Sequence, residues 1–399
     1  MRPDRRAQVT IRLVFGAIAA LASACDRQAP SSSAETATEP AAAVTTSAEP
    51  EAPTTTADPK GFAYAPEVNV LLMAGGDVCL GRSIGQALLK DPSFDPFASV
   101  EKLFFNADLR FVNLESQLSD QNGETQSPTM KLKFTGPPAG ADALARARVH
   151  VVSAANNHMW DYGKSAFLQT LDNLDRAKVR YAGAGRTREE AYSPVVFEVN
   201  RLHVAFLAFT GIWNQGDLAY HEAKDHVARA TKEAVVAAVK AARARSDIDF
   251  VVVSYHGGEE YVSTPLQLAI DLHHAAIDAG ADAVIGHHPH VAQGIEVYRG
   301  KPIFYSLGNL LMRTHGTHAE TELGFFARVL FHKTRISPAI CPYRITGIVP
   351  HAVLLADEPR RDLAEKLFRQ RMRVLQGSIV SPAKIGSTDE LGCAMVIAR

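Results

Sequence analysis

The chain has 399 residues, 46% of them hydrophobic and 21% charged, and its 42 Lys and Arg against 43 Asp and Glu leave a formal net charge of −1. That length and composition can bury one large core or two ordinary ones. The near-neutral balance, with no basic stripe carrying interleaved aromatics, excludes a nucleic-acid surface of the kind that tracks phosphates.

The amino terminus reads as an address. Arg2, Arg5, Arg6 and Arg12 form a basic region, an apolar run follows from Leu13 to Leu21, and Ala22-Ser23-Ala24 offers a small-x-small cleavage site just before Cys25. The run is too short to span a bilayer stably, so residues 1–24 are expected to be a signal peptide. Leu21 to Cys25 also resembles a lipoprotein box, with the leucine one place further from the cysteine than usual. A lipid on Cys25 would anchor the protein to a membrane; ordinary cleavage after Ala24 would leave it periplasmic or secreted. Either outcome predicts an extracytoplasmic, cell-envelope protein. Residues 25–66, rich in Ala, Thr, Ser, Pro and Glu, bury too little to offset the entropy of ordering and read as a disordered tether.

The folded domain is expected over residues 67–357, with a helix and tail at 358–399. Val68 to Ala74 reads as a strand that Gly75-Gly76-Asp77 ends with a carboxylate, at the carboxyl end where open α/β sheets place ligands. Arg82 follows, suited to an anionic substrate group. A helix is expected from Asp95 to Asn106, then a strand, Leu109 to Val112, leading into Asn113-Leu114-Glu115. The polar loop from Ser116 to Phe134 is of the kind that shapes a substrate mouth. A third strand, His150 to Ser153, runs into Asn156-Asn157-His158 and Asp161, and a helix from Lys164 to Ala177 returns the chain.

Strands follow at Val195 to Val199 and His203 to Ala208, then an irregular segment, Thr210 to Asp225, that reads as a flap. A helix from Ala228 to Arg245 precedes the apolar strand Asp249 to Tyr255, which stops at His256 beside Gly257-Gly258-Glu259. After a helix from Pro265 to Gly280 comes a buried strand, Ala283 to Ile285, a turn expected at Gly286, and the imidazoles His287, His288 and His290 around Pro289. His288 and His290, two apart in an extended loop, would point to one side and share a metal or serve the two ions of a pair. Further on, Phe325 to Phe331 and Ile345 to Leu355 read as strands and Pro359 to Leu375 as a helix. Cys341 and Cys393 suit a disulfide, Cys79 has no evident mate, and Asn309 reads either as lining the site or as capping a strand, the cap being preferred.

Taken together, GGDVCLGR, FVNLESQLSD, SAANNHMWDYG, SYHGGEEY and IGHHPHVAQGIEVYRGKPIFYSLGN, in order from Val68 to Leu311, resemble the CapA family of poly-γ-glutamate capsule synthesis proteins, itself similar to the calcineurin-like metallophosphoesterases. The resemblance implies a four-layer α/β/β/α sandwich with a dinuclear metal site between its sheets. It implies Asp77, Glu115, Asn157, His256, His288 and His290 as ligands of two divalent ions, His158 as general acid with Asp161 orienting it, and Arg82, His287 and Glu259 facing substrate. Two departures stand out: Cys79 where the superfamily carries the histidine of Asp-x-His, and Glu115 in place of the Gly-Asp-x-x-Asp motif. Mixed oxygen and imidazole ligands suit Mn, Fe or Zn better than Ca or Mg.

Two functional readings follow. One is a metal-dependent hydrolase of a phosphoester or a γ-linked amide, its substrate an anionic polymer or a phosphoester. The other is a non-catalytic, membrane-tethered accessory subunit that binds the polymer during assembly or export, alongside capsule synthesis membrane proteins.

Overall fold

The computed structural model describes residues 68–313 and 318–398; the expected signal peptide, Cys25 and the tether lie outside the described residues. Among the described residues no helix is long and apolar enough to cross a membrane. The chain enters on β1 (Asn69–Val78), turns through α1 (Arg82–Lys90) and the short α2 (Glu101–Phe105), and lays down β2 (Leu109–Leu114) parallel to β1. A two-residue ladder of β3 (Gln117–Leu118) and β4 (Thr135–Gly136) leads to α3 (Ala139–Arg146). Then β5 (Val151–Ser153), α4 (Gly163–Arg176) and β6 (Arg180–Ala182) extend the parallel sheet.

After the one-turn α5 (Arg188–Tyr192), a second sheet forms from β7 (Val195–Val199) and β8 (Leu202–Thr210), with α6 (Lys232–Arg243), β9 (Phe250–His256), α7 (Gln267–Ala279), β10 (Ala283–His287), β11 (Ile295–Tyr298) and β12 (Lys301–Phe304). The chain then returns to the first sheet: β13 (Asn309–Leu311) pairs with the end of β1, and β14 (Leu323–His332), β15 (Arg335–Thr346) and β16 (His351–Leu354) follow. It closes with α8 (Arg361–Gly377), β17 (Lys384–Thr388) and β18 (Ala394–Ile397). The sheets have ten and six strands.

Strand alternation builds the layers. Leu72, Phe111 and Val151 face inward against Phe206, Val252 and Ile285 of the second sheet, and the Phe111 and Phe206 rings stack with centroids 5.9 Å apart. Their neighbours Met73, Val112 and Val152 point to the other face, where Ile84 and Leu88 of α1 and Leu144 of α3 cover them. Val251, Val253 and Val284 likewise meet Val235 and Val239 of α6 and Leu272 of α7. Three apolar seams thus separate four layers, the α/β/β/α sandwich. Each fully buried side chain of this kind contributes roughly 1.5–3 kcal/mol.

Several elements differ from expectation. Residues 95–106 hold only a 3-10 turn at Ala98–Val100 and the five-residue α2, and α1 was not anticipated. The helix expected from Ala228 begins at Lys232, because the Thr231 hydroxyl caps the Ala234 N–H while Ala228 and Ala230 are held by Thr210. The strand expected at Ile345 to Leu355 is split by a turn at Gly347, whose φ is 86°. Gly286 stays within β10: a Cβ there would lie 1.9 Å from the Tyr305 carbonyl oxygen, so its glycine serves close approach rather than a turn.

Residues 358–399 are more than a helix and tail, since β18 pairs with β15 and β17 with β18. Cys341 of β15 and Cys393 form a disulfide across 52 positions. Closing a loop of that length is worth about 4 kcal/mol in the chain-entropy account.

Candidate metal centre

The carboxyl ends of β1, β2, β5, β9 and β10 bring their polar residues together between the sheets. Asp77 is the ninth residue of β1, just past a register shift between Ala74 and Asp77, and bulges of this kind re-aim a side chain. Gly76 allows that path: a Cβ there would come within 1.9 Å of the Gly308 carbonyl oxygen. Glu115 follows β2, Asn157 and His158 follow β5, and His256 and His287 end β9 and β10 in direct register. Asp77, Glu115, His256, His288 and His290 are all buried, with Asp77, Glu115 and His256 at 0% exposure.

Glu115 Oε1 is the point of convergence. It is buried with no hydrogen-bond partner, yet the Nε2 atoms of His256 and His290 lie 3.7 Å away and that of His158 4.0 Å. Those spacings are too long for hydrogen bonds, and they approximate the edges of a coordination polyhedron, roughly 3.4 Å for ~2.1 Å metal–ligand bonds at tetrahedral angles. Two triads share this carboxylate: Glu115 with His288 and His290, and Glu115 with Asp77 and His256, the ligand atoms of each within 4.8 Å of one another. Asn157 Oδ1 adds an amide oxygen 2.8 Å from His256 Nε2. The donor set fits a divalent cation, because a buried, orphaned carboxylate oxygen beside imidazoles is otherwise left without compensation.

The turn that carries the last imidazoles is strained. His288 and His290 adopt φ values of 95° and 58°, left-handed conformations that cost non-glycine residues about 1–3 kcal/mol each and that cluster at functional sites. The Asp77 carboxylate braces the turn by accepting the His288 backbone N–H at 3.3 Å.

Protonation follows from burial and mutual charge. Burial alone would raise Asp77, but the imidazoles of His287 and His290 beside it hold it well below its usual value. Burial, and then the Asp77 charge, push Glu115 well above the carboxylate range. Burial lowers His256 far below its usual value and, with His290 nearby, takes His288 to about 3, so both present neutral nitrogen donors. His290 is depressed by burial but lifted more by Glu115 and Asp77, to about 9.

Beside the triads, His158 Nδ1 lies 2.9 Å from Asp161 Oδ2, which also accepts the Phe134 N–H at 3.0 Å. The His158 imidazole stacks on the Phe134 ring with centroids 4.1 Å apart, and the Arg82 guanidinium sits 4.4 Å over that ring. The segment expected as a flap reaches the site through Asn214, whose Oδ1 accepts from Asn157 Nδ2 at 2.9 Å.

Two of the residues expected to face substrate lie outside the two triads. His287 is fully buried; its Nδ1 lies 3.2 Å from Asp77 Oδ1 but out of hydrogen-bonding alignment, and its ring packs toward Phe111 with centroids 5.9 Å apart. Strand alternation turns it into the inter-sheet core. Glu259 is exposed and makes no contact with the cluster, whereas the charge of its neighbour Glu260 acts on Glu115 and His290. Cys79 is a buried free thiol pushed up to about 12 by burial, a poor ligand in that form.

Sequence reasoning missed the amides that hold the ligands. Asn113 Nδ2 donates to Asp77 Oδ1 at 2.9 Å and lies 3.2 Å from His256 Nδ1. Asn156 Oδ1 accepts the His158 N–H. Asn309, expected more as a strand cap than as part of the site, puts Oδ1 2.9 Å from His290 Nδ1, an outer partner that leaves Nε2 on the side of Glu115. Their signal was visible: each is a polar residue in a run whose neighbours are all buried.

Residues 71–314 match the family model described as Bacterial capsule synthesis protein PGA_cap. The chain belongs to that family. Among the PGA_cap family's curated members, it is 31% identical over 239 residues to the capsule biosynthesis protein CapA of Bacillus anthracis, covering 59% of this chain and 58% of the relative. Identity to the PGA biosynthesis protein CapA of Bacillus subtilis is 32% over 237 residues, 59% of this chain and 61% of the relative. A probable polyglutamine synthesis accessory protein of Mycobacterium tuberculosis is 31% identical over 246 residues, 56% and 60%. The matched stretch therefore spans about three fifths of each relative's length. Among solved structures, a 5'-nucleotidase from Candida albicans aligns with a TM-score of 0.41 at 11% identity, over 78% of this chain and 59% of that one. The sulfate thiohydrolase SoxB of Thermus thermophilus aligns at 0.40 and 12%, over 82% and 64%.

Proposed function

We propose that this PGA_cap family member is a metal-dependent hydrolase of the cell envelope that acts on a phosphoester or γ-linked amide during poly-γ-glutamate or capsule synthesis. The observation that carries the reading is the fully buried Glu115, whose carboxylate is shared by two ligand triads and whose Oε1 has no hydrogen-bond partner. Asp77, Glu115, Asn157, His256, His288 and His290 would hold two divalent ions of the Mn, Fe or Zn type. Bound there, such ions supply Lewis acidity and bring the pKa of a water toward neutrality.

The remaining chemistry belongs to the chain. With Asp161 accepting the Nδ1–H, His158 acts as a general acid in its doubly protonated form, whose second proton sits at Nε2 on the side of Glu115. Phe134 keeps the imidazole flat against its own ring and shields it from solvent. That proton goes to the departing oxygen or nitrogen, a role worth roughly 10²–10⁴-fold in rate. Burial of the cluster strengthens each of these contacts by excluding water. The localisation belongs to the same reading: export through residues 1–24, and membrane tethering through Cys25 near capsule synthesis membrane proteins.

A second reading, a polymer-binding accessory subunit without turnover, draws on the accessory role printed for the mycobacterial relative. Elemental analysis of the purified protein, together with assays of a phosphodiester and a γ-glutamyl oligomer with Mn, separates the two. Two metals per chain and metal-dependent turnover, both lost in His288→Ala, are expected. Oligomer binding without turnover of either substrate would establish the accessory reading instead.

A further inference from the structure

A cavity of about 380 Å³ opens where β1 meets α1, lined among others by Cys79, Gln86, Thr125, Met312, Arg313 and Arg82. That volume falls within the range of small-ligand pockets, ~300–1,000 Å³. One wall is apolar, formed by Cys79, Ile84, Leu311 and Met312, with Phe134 packed against Cys79 and Met312. The charged side chains on the other walls are already engaged: Arg313 donates to Glu322 at 2.8 Å and to the Gly347 carbonyl at 3.0 Å, and Glu124 accepts from the Tyr162 hydroxyl.

Arg82 differs. Among the described residues it has no carboxylate within ion-pair distance, its Nε is buried without a hydrogen-bond partner, and its guanidinium lies over Phe134. Its backbone has a φ of 50°, a left-handed conformation held by Thr125, which accepts the Arg82 N–H and donates its hydroxyl to the Arg82 carbonyl, both at 3.0 Å. A non-glycine residue is kept there only where the surroundings over-determine it. Phe134 joins this cation to the centre, since its ring also stacks on His158, and the Arg82 charge acts on Glu115 and Tyr261. A planar, partly desolvated guanidinium with free donors is built for a bidentate oxyanion.

We propose that this cavity is an anion subsite in which Arg82 fixes a carboxylate or phosphate carried by the substrate next to the bond that reacts. The subsite rests on the hydrolytic reading for its neighbour, and it requires the substrate to carry an anionic group beside the bond that reacts. Binding to it needs no metal, so it is measured on the full protein in the presence of chelator.

Calorimetry with three probes tests it: a γ-linked glutamate tetramer, the same tetramer with its α-carboxylates converted to amides, and a glycerol phosphate trimer. The wild type is expected to bind at least one anionic probe roughly 10–100-fold more tightly than the amide, the scale of a charge-assisted hydrogen-bonded pair. Arg82→Gln reduces that preference to within about twofold, while Arg82→Lys, a point charge without the fork, keeps part of it. Arg82→Asn, which tolerates the left-handed backbone, gives the same loss in a protein with an unchanged melting curve. Tighter binding of the tetramer assigns a polycarboxylate, and tighter binding of the trimer a phosphodiester chain; both support the subsite. A preference that survives Arg82→Gln, or a wild type that ranks all three probes equally, overturns it. Metal-dependent turnover absent from a wild type that retains the Arg82-dependent preference removes the hydrolytic reading and leaves the subsite standing.

Discussion

Two buried carboxylates sit near opposite ends of β10, and they have opposite surroundings. Asp282, just before the strand, accepts the Val251 N–H at 2.9 Å and the Lys301 ammonium at 2.6 Å, and it pairs with the Arg243 guanidinium. Glu115, in the cavity at the other end, has one oxygen with no donor and three imidazoles just beyond hydrogen-bond reach. Both are buried, at 4% and 0% exposure. Burial alone therefore does not mark a functional acid. What separates them is completeness, because a fully partnered buried carboxylate holds strands together whereas one with an unpartnered oxygen is left for a ligand.

The comparison is broken most forcefully at Glu115. Glu115→Gln is expected to abolish stoichiometric metal, with at least a 10³-fold loss of any metal-dependent turnover, while leaving the metal-free melting temperature within a few degrees, since no native hydrogen bond to Oε1 is lost. A large drop in metal-free stability would show that the carboxylate is structural after all. At the other end of the strand, Asp282→Ala should cost roughly 3 kcal/mol, the lower end for breaking a buried pair since Arg243 and Lys301 are partly exposed, with metal content unchanged. Chemical denaturation and elemental analysis of the same sample check both halves.

A pH series sharpens it further. His256 and His288 have folded pKa values below that of the free imidazole, so their stabilising effect is present above about 6.5 and is lost as pH falls toward 3. His290 is raised to about 9, so its effect is present below about 6.5 and is lost as pH climbs through 9. Metal-free melting temperature should therefore decline on both sides of neutrality. Saturating Mn should reverse the alkaline decline, because His290 and Glu115 must shed protons to bind it. An alkaline arm identical with and without Mn would remove His290 from the ligand set. The smallest effect is expected from Asn309→Ala, which frees His290 Nδ1 and should weaken metal affinity by roughly 10–100-fold without altering the fold, as read by competition with a chelator.

Much of the site was legible because strand ends are. A buried β run that stops at Asp77, at His256 or before the HHPH turn shows in the residue pattern, and parallel strands within each of the two sheets deliver those ends to one edge. The direction of each side chain there was not legible. His287 and His288 are neighbours, yet alternation sends one into the core and a left-handed φ of 95° turns the other to the cavity. Glu259 and Glu260 raise the same problem in a loop.

By itself the sequence determined the alternation of apolar residues that makes two sheets with helices outside them, the ordering of the five motifs, and the types of ligand available. Only the tertiary structure decided that Asn113 and Asn309 brace Asp77 and His290, that residues 384–397 complete the first sheet, and that Phe134 links His158 to Arg82. The reason is range. Periodicity is a property of neighbours along the chain, whereas the pairing of Asn309 with Asp77 across β13 and β1 joins distant positions and exists only after the chain has returned from the second sheet to the first.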